Sequence, residues 1–317
     1  MATEPTTSTD PSDERAAASA TATAEETAPR PVGAAPASAP ARRGPRSVLS
    51  KVGAYLVLTL LSLLILFPIY MLILRALSSP LRYINAGQPL YPVAIQWDVF
   101  SNAFSQANLG RAMGLSFVVT MVIVIAQLLT STLAAYAFAF LEFPGKTLMF
   151  VVTIGTLLLP IEVTLIANIE IIRSLDLLNS VEGLTVPFLA TAIGIFLIRQ
   201  GFLGIPKDLR DASELDGYGH LRFLFRVAVP MTKPIIGSFI VISFLGAWNQ
   251  YVWPRFATTE NEWQTVQVAL RTIGTENPDQ LNLGFAAAII AALPLLVLLI
   301  FFQRQIVRGL TAGAVKG

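Results

Sequence analysis

Residues 211–230 read DASELDGYGHLRFLFRVAVP, and they interrupt a chain that is otherwise apolar enough to lie in a bilayer. The stretch contains charges, two glycines and a proline, and long apolar segments lie on both sides of it. Exposed polar backbone and charges are costly in lipid. We therefore interpret the stretch as part of a loop outside the bilayer. The role of this loop indicates what the whole chain does.

The composition indicates that lipid is the main solvent. The 317 residues are 54% hydrophobic and only 13% charged, with a mean hydropathy of +0.64. Soluble domains carry about a quarter charged residues. The absence of cysteine and the single histidine, His220, exclude thiolate chemistry and a histidine-rich metal site. A net charge of +2 is too small to indicate a nucleic-acid partner.

The first 46 residues differ from the rest of the chain. Residues 1–46 are rich in Ala, Thr, Pro, Ser and Glu and have almost no large apolar side chains. Such a segment buries too little surface to offset its ordering entropy. We predict a disordered cytoplasmic tail over 1–46 and a membrane domain over 47–317.

Six apolar segments are long enough to cross a membrane, which requires about 20 residues. We predict spans at 53–74, 113–138, 147–169, 184–202, 234–253 and 283–303. The fold class is therefore an all-α integral membrane protein with six transmembrane helices. Span three contains Pro160, and span four starts close to Pro187, so these two are the least regular.

The basic residues predict the orientation. The loops on the side of both termini hold 14 lysines and arginines, and the opposite loops hold 6. Because basic residues accumulate on the cytoplasmic side, both termini and the 211–230 stretch are expected in the cytoplasm. We find no internal repeat of the kind expected in an inverted-repeat transporter.

The sequence pattern between spans four and five predicts two short helices. Four residues share one face of the first helix: Leu209, Ala212, Ser213 and Asp216. Gly217 is placed to end it in a left-handed cap. The second helix is expected over about 218–227, and Pro230 and Pro234 then break the chain. The two helices and the glycine between them form an elbow over about residues 206–227. The elbow suits docking into a groove of a cytoplasmic partner, although lying on lipid headgroups fits the pattern equally well.

The pattern D-A-S-x-x-D-G at 211–217, followed by Arg226, Pro230 and Pro234, resembles the EAA loop of bacterial binding-protein-dependent ABC importers. In that family the first helix is the coupling helix, which sits in a cleft of the ATPase subunit. Asp replaces the usual Glu at 211, which shortens its reach to an ATPase arginine. The resemblance implies that these residues couple to the ATPase: Asp211, Ala212, Ser213, Leu215, Asp216, Gly217, Arg226 and Pro230.

The resemblance covers about residues 50–317. QGFLGIPKDLRDA (200–212), WNQYVWP (248–254) and QRQIVRGLTAGAVKG (303–317) resemble segments of sugar-class permeases. It implies a multi-pass protein of the bacterial inner membrane that imports a carbohydrate or glycerol-3-phosphate. The implied partners are a second permease subunit, two ATP-binding subunits and an extracellular binding protein. The chain would then be no enzyme and have no cofactor, because the partner subunit binds ATP.

Polar side chains within spans three and five are candidates for a solute path. At ~1.5 Å per residue, Glu162 lies ~22 Å beyond Thr147, and Asn249 lies ~22 Å beyond Pro234. Amides both donate and accept hydrogen bonds, and tryptophan offers an apolar face to a sugar ring. No basic residue lies mid-span, which favours a neutral sugar. The predicted path residues are Glu162, Asn168, Trp248, Asn249 and Gln250.

Two other functions were considered. An ion-coupled secondary transporter of a small polar solute would share the composition, but it would not need the elbow. An intramembrane hydrolase could use Ser116, but His220 lies in the loop and cannot reach it. We therefore predict no catalytic residue and no metal site.

Overall fold

The computed structural model describes residues 48–105, 108–276 and 280–314. Within these ranges the chain is helical, with one isolated β-bridge between Ser78 and Ile95. The predicted all-α class is confirmed, whereas the predicted tail at 1–46 lies outside the described residues. In chain order the α-helices are α1 (Val48–Leu77), α2 (Pro80–Asn85), α3 (Val99–Ser105), α4 (Leu109–Phe140), α5 (Lys146–Gly155), α6 (Ile161–Ser174), α7 (Val181–Thr185), α8 (Ala192–Leu203), α9 (Lys207–Leu215), α10 (His220–Phe223), α11 (Val229–Met231), α12 (Lys233–Trp248), α13 (Val252–Ala257), α14 (Val266–Glu276) and α15 (Leu281–Ala314).

Three of the described helices are long and apolar enough to cross a membrane by themselves: Ser50–Leu77, Leu109–Phe140 and Leu281–Gln303. Three further crossings exist if each of three bent helix pairs counts as one span. These pairs coincide with predicted spans three, four and five, where polar residues and prolines interrupt the apolar sequence. The helices at predicted spans one, two and six are therefore continuous, whereas the chain is bent within predicted spans three and four and just before predicted span five.

Span three breaks where its proline predicts a disturbance. The helical segments Lys146–Leu158 and Glu162–Ser174 meet at an angle of 100°. Pro160 has no N–H to continue the first segment, and it occupies the N-cap position of α6 instead. The depth expected for Glu162 assumed one straight helix from Thr147, and the bend makes that estimate wrong.

Span five also ends earlier than predicted. Its helix, α12, stops at Trp248 and not at residue 253. The Asn249 side chain donates a hydrogen bond to the Leu245 carbonyl (2.9 Å), and the Asn249 backbone N–H donates to the same carbonyl (3.2 Å). Asparagine commonly bonds to nearby backbone in this way, which favours a helix end over its continuation.

Span four is broken between Val181–Phe188 and Ala192–Leu203, which meet at 49°. Side chains of α4 bind the carbonyls that the break leaves without helical donors. Gln127 donates to the Phe188 carbonyl (2.8 Å), and Thr130 donates to the Leu189 carbonyl (3.0 Å). Ser243 of α12 donates in turn to Gln127 Oε1 (2.7 Å). Unpaired backbone groups are costly in a bilayer, so these side chains stabilise the break.

Replacing Gln127 with leucine is expected to lower the free energy of unfolding by about 1–2 kcal/mol, the range for hydrogen bonds between membrane helices. The variant loses both bonds of the amide and leaves the Phe188 carbonyl unpaired. Thermal unfolding of the detergent-solubilised chain measures the effect. Leu129→Ala, at a neighbouring exposed position of α4, is the control and should change the midpoint little. An unchanged midpoint for Gln127→Leu would contradict this role.

Helix α4 organises the rest of the fold, because α8, α12 and α14 all pack against it. At one end of α4, Tyr136 belongs to a buried apolar cluster with Phe202, Phe223 and Phe239. These residues come from α4, α8, α10 and α12. The elbow between spans four and five is thus built directly onto three of the membrane-spanning segments.

Candidate functional site

The polar elbow begins with α9, whose end is closed by a Schellman motif. Gly217 has φ +75°, a left-handed conformation that lacks a steric penalty only in glycine. The Tyr218 N–H donates to the Ser213 carbonyl (2.9 Å), and the Gly217 N–H donates to the Glu214 carbonyl (3.0 Å). This is the pair of bonds that defines the motif. The predicted glycine cap is confirmed.

The face of α9 that points away from the spans is open. Asp211, Ala212 and Asp216 are exposed, and Leu215 is 90% exposed at the end of the helix. Of the four residues predicted to share a face, only Ser213 is buried, and its hydroxyl donates to the Arg210 carbonyl (2.7 Å). The exposed Leu215 side chain is apolar surface that water solvates poorly. Such a surface is expected where a partner docks.

The opposite face of α9 is held to the end of α4. Arg210 donates from Nη1 to the Phe140 carbonyl (3.3 Å), and its guanidinium lies 5.8 Å from the centroid of the Phe140 ring. Its Nε donates to Glu214 at 3.1 Å, one turn further along α9. Lys207 precedes Asp211 by one helical turn, but no ion pair joins these two described residues. Asp211 is thereby left to solvent or to a partner.

The second part of the elbow is fixed by aromatic contacts. The Tyr136 hydroxyl lies 3.0 Å from His220 Nδ1, within hydrogen-bonding distance. Phe223 is buried and lies edge-on to the Phe140 ring, with centroids 5.4 Å apart. Phe140 also contacts Phe202 of α8 at 5.8 Å. These close-packed rings join the elbow to the ends of α4 and α8.

The second helix of the elbow extends further than predicted. It runs through α10, a π-helical segment over Leu224–Ala228, and α11. Arg226 is exposed on the π-helical segment, and Pro230 lies within α11. The expectation that Pro230 breaks the chain is wrong, because the bend of 82° falls between Met231 and Lys233. The wider π turn before Pro230 adapts the helix to the missing N–H.

Sequence reasoning missed the residues that anchor the elbow. Tyr136 and Phe140 lie on span two, more than 60 residues before the elbow, and nothing in the local pattern relates them to it. Of these anchoring residues, only Arg210 belonged to a recognisable sequence pattern, because Glu214 follows it at i+4. The anchoring role of Arg210 depends on the end of α4, which tertiary packing brings beside it.

The predicted path residues of span three lie on α6. Glu162 is exposed in its first turn, and Asn168 is half-buried further along. Within the described residues, no hydrogen bond joins either side chain to residues 248–250. Helix α6 packs instead through apolar side chains against α13, where Trp253 is buried and donates to the Gly183 carbonyl (3.1 Å).

The tract at the end of α12 divides into a packed residue and two amides. Trp248 is 2% exposed, stacks on Phe244, and donates to the Ala291 carbonyl (3.2 Å), so it packs within the core. Asn249 is exposed, and its Oδ1 accepts from Gln267 of α14 (3.2 Å). The buried Oε1 of Gln250 has no hydrogen-bond partner among the described residues.

Comparison with protein families identifies the chain. Residues 56–312 match the family described as the inner membrane component of binding-protein-dependent transport systems. The chain belongs to this family. It is therefore a multi-pass inner-membrane transport component, and the predicted resemblance to permeases of binding-protein-dependent importers is confirmed.

Two relatives illustrate the range of this permease family. The chain is 36% identical over 256 residues to the sn-glycerol-3-phosphate transport system permease protein UgpE of Yersinia pestis bv. Antiqua (strain Antiqua), covering 78% of the chain and 91% of that protein. It is 28% identical over 279 residues to the arabinooligosaccharides transport system permease protein AraQ of Bacillus subtilis (strain 168), covering 87% and 99%. Both matches span nearly the whole length of the relatives.

Solved structures share the permease fold. One is a crystal structure of a bacterial ABC transporter involved in the import of the acidic polysaccharide alginate, with a TM-score of 0.72 and 20% identity over 81% of this chain and 96% of that one. Another is the bacterial alginate transporter in complex with its alginate pentasaccharide-bound periplasmic protein, with a TM-score of 0.59 and 14% identity over 80% and 92%. At these identities the similarity establishes the fold alone.

Proposed function

We propose that the chain is one of two permease subunits of an ATP-driven importer, which form the path for a carbohydrate or a related solute such as a glycerol phosphate. The observation that carries the proposal is helix α9, whose outer face is exposed while its inner face is fixed to the spans. A partner that binds the exposed face can displace such a helix, and the contacts on its inner face carry this displacement to the spans. The named solutes of the permease relatives support the solute class.

In this proposal α9 is the coupling helix. Closure of an ATPase dimer moves it, and Arg210 and the aromatic rings around Phe140 carry the movement into α4 and α8. The spans then turn from inward-facing to outward-facing, and the binding protein releases its solute into the opened path. ATP is bound and hydrolysed by the partner subunits, so the chain itself needs no cofactor.

The same proposal places both termini and the elbow in the cytoplasm. The elbow carries exposed basic side chains at Lys207, Arg222 and Arg226, which agrees with the bias of basic residues toward the cytoplasmic side. The ends of α1 and α4 that are remote from the elbow then face the extracellular binding protein.

The proposed path includes the amides of Asn249, Gln250 and Gln267, together with Glu162 and Asn168. Amides can donate to and accept from sugar hydroxyls. The unpartnered Gln250 Oε1 is an acceptor for which a solute hydroxyl is a suitable donor. Trp248 is omitted from the path, because its indole ring is enclosed by other residues of the chain.

Affinity purification of the tagged chain from its native membrane, with mass spectrometry of the bound proteins, tests the proposal. We expect an ATPase and a second multi-span permease in amounts matching the chain. A chain that purifies alone, or only with itself, would contradict the importer assignment and favour an ion-coupled transporter. The companion binding protein can then be screened for its ligand.

Deletion of residues 2–45 is expected to leave transport nearly unchanged, because the composition of this tail predicts no folded partner for the spans. Uptake of the cognate solute by cells that express equal amounts of the full-length and shortened chains measures the effect. A clear loss of uptake with normal membrane insertion would show that the tail regulates transport.

A further inference from the structure

Arg75, near the end of α1, is a half-buried cation whose donors have no acceptor in the described part of the chain. Its guanidinium carbon lies 5.7 Å from the centroid of the Tyr83 ring and 5.4 Å from that of the Phe285 ring. Among the described residues, no carboxylate or carbonyl accepts a hydrogen bond from it. Cation–π contacts engage the face of a guanidinium and leave its N–H groups, which lie in its plane, available.

A polar cleft adjoins this arginine. Arg75 lines a small cavity of about 20 Å³, which shares Pro80 and Asn282 with a larger cleft of about 350 Å³ that Arg75 does not line. Six polar residues are among those that line that cleft: Ser79, Gln96, Asp98, Asn102, Gln280 and Asn282. Asn282 is only 6% exposed and donates to Gln96 Oε1 (2.7 Å), so this wall is preorganised. The volume lies in the range of small-ligand sites.

The electrostatic environment near Arg75 favours an anion. Asn282 and Leu283, which line the cleft, belong to the first turn of the 34-residue helix α15. The positive end of the helix dipole adds to the arginine charge at this position. Among the described residues that line either cavity, Asp98 is the only carboxylate, and it accepts a hydrogen bond from Asn102 (3.3 Å).

We infer that the two cavities form a binding site for an anionic polyol, with a phosphate or carboxylate on Arg75 and hydroxyls on the amides and Asp98. As a step in uptake, this site depends on the proposed importer function, which places it on the outer face where solute arrives. The sequence favoured a neutral sugar because no basic residue lies mid-span. Arg75 was not considered there, because it directly follows predicted span one and was counted with the outer loops.

The chemistry of the cleft fits a small solute better than a protein. Protein interfaces derive most of their binding energy from buried tryptophan, tyrosine and arginine anchors and from apolar contact. Arg75 and Tyr83 are of these types and line the small cavity, whereas the larger cleft combines amides and a carboxylate, which match the hydroxyls of a polyol, with apolar side chains. A lipid headgroup phosphate offers the same anion, so the experiment must separate it from a soluble solute.

Calorimetric titration of the full-length chain in phosphatidylcholine nanodiscs tests the site directly. The probes are sn-glycerol 3-phosphate and galacturonate, and their neutral counterparts are glycerol and galactose. We expect both anions to bind at least tenfold more tightly than the neutral compounds, and Arg75→Gln to remove that preference. Arg75→Lys retains the charge without the planar fork and should retain part of the affinity.

Arg82→Gln is the matched control, because Arg82 is exposed on the neighbouring helix α2 and lines neither cavity. It should bind the anions like the unchanged chain. Equal binding of charged and neutral probes would overturn the inference, and so would anion binding that survives in Arg75→Gln. If Arg75→Gln fails to fold, as judged by thermal unfolding, Arg75→Lys and Asn102→Ala supply the test.

Native mass spectrometry in nanodiscs that contain phosphatidylglycerol separates the two anion sources. Retention of this lipid by the unchanged chain but not by Arg75→Gln, without calorimetric binding of either soluble anion, would assign Arg75 to a headgroup and overturn the solute site. The proposed function is tested separately. A chain that binds no anion but purifies with its ATPase disproves only this site, whereas one that binds anions but purifies alone disproves the importer assignment.

Discussion

Replacing Gly217 with proline is expected to reduce solute uptake by more than tenfold while the chain still inserts into the membrane. Gly217 has φ +75°, whereas the proline ring fixes φ near −65°. Proline also removes the N–H that binds the Glu214 carbonyl, so both features of the helix cap are lost. The end of α9 must then take another direction, and Asp216 and Leu215 move with it. Uptake of the solute by cells that express the complete importer is the measurement.

Gly219→Ala is the matched control for this substitution. Gly219 lies two residues further on, has φ −76°, and has nothing within 4 Å of the position that a Cβ would occupy. Alanine should therefore be tolerated there with normal uptake. Gly217→Ala is expected to be intermediate, because a non-glycine residue in this conformation costs roughly 1–2 kcal/mol. Normal uptake by Gly217→Pro would show that the geometry of the cap is not needed for coupling.

Replacing Leu215 with aspartate should abolish co-purification of the ATPase subunits. Leu215 is 90% exposed and lies near Asp211 and Asp216, so the described residues leave most of its apolar surface uncovered. Burial of a leucine side chain in a partner groove is worth about 1.5–3 kcal/mol, and a desolvated carboxylate would oppose docking further. The fold of α9 does not depend on this side chain, so the variant chain should still insert and remain stable.

The measurement is the molar ratio of ATPase to permease after purification under mild conditions. Leu221→Asp makes the same change at another exposed leucine, 67% exposed and outside α9, and should leave this ratio unchanged. Leu215→Met keeps the apolar surface and should also retain the ATPase. A normal ratio in Leu215→Asp would mean that the partner docks elsewhere.

Several features of the fold could be predicted from local sequence because they depend on neighbouring residues. The apolar length of spans one, two and six exceeds the thickness of a bilayer, so each forms one continuous helix. The position of Gly217 after a short amphipathic segment predicts a left-handed cap, and the structure has one. The position of Pro160 predicted an irregular helix in span three, and the chain bends there. The family assignment likewise followed from a short run of residues with fixed spacing.

Other features could not be predicted because they depend on residues far apart in the sequence. The 49° break in span four is stabilised by Gln127 and Thr130 of α4, about 60 residues earlier. Pro230 was expected to break the chain, but the preceding residues adopt a π-helical turn and the helix continues. Trp248 was expected to line a path, but a carbonyl of α15 and the ring of Phe244 enclose it.

The sequence by itself determined that the chain is an all-α membrane protein with a polar elbow, because hydrophobic length, charge and glycine conformation act over one or two helical turns. Only the tertiary structure decided which side of the elbow is free and which is held, since Arg210 binds the end of a helix 70 residues away. It also decided that Arg75 lines a cavity that adjoins a polar cleft, because Tyr83, Phe285 and Asn282 meet only when α1, α2 and α15 pack together. Local pattern specifies the elements, whereas the burial and pairing of polar groups across elements specify the sites.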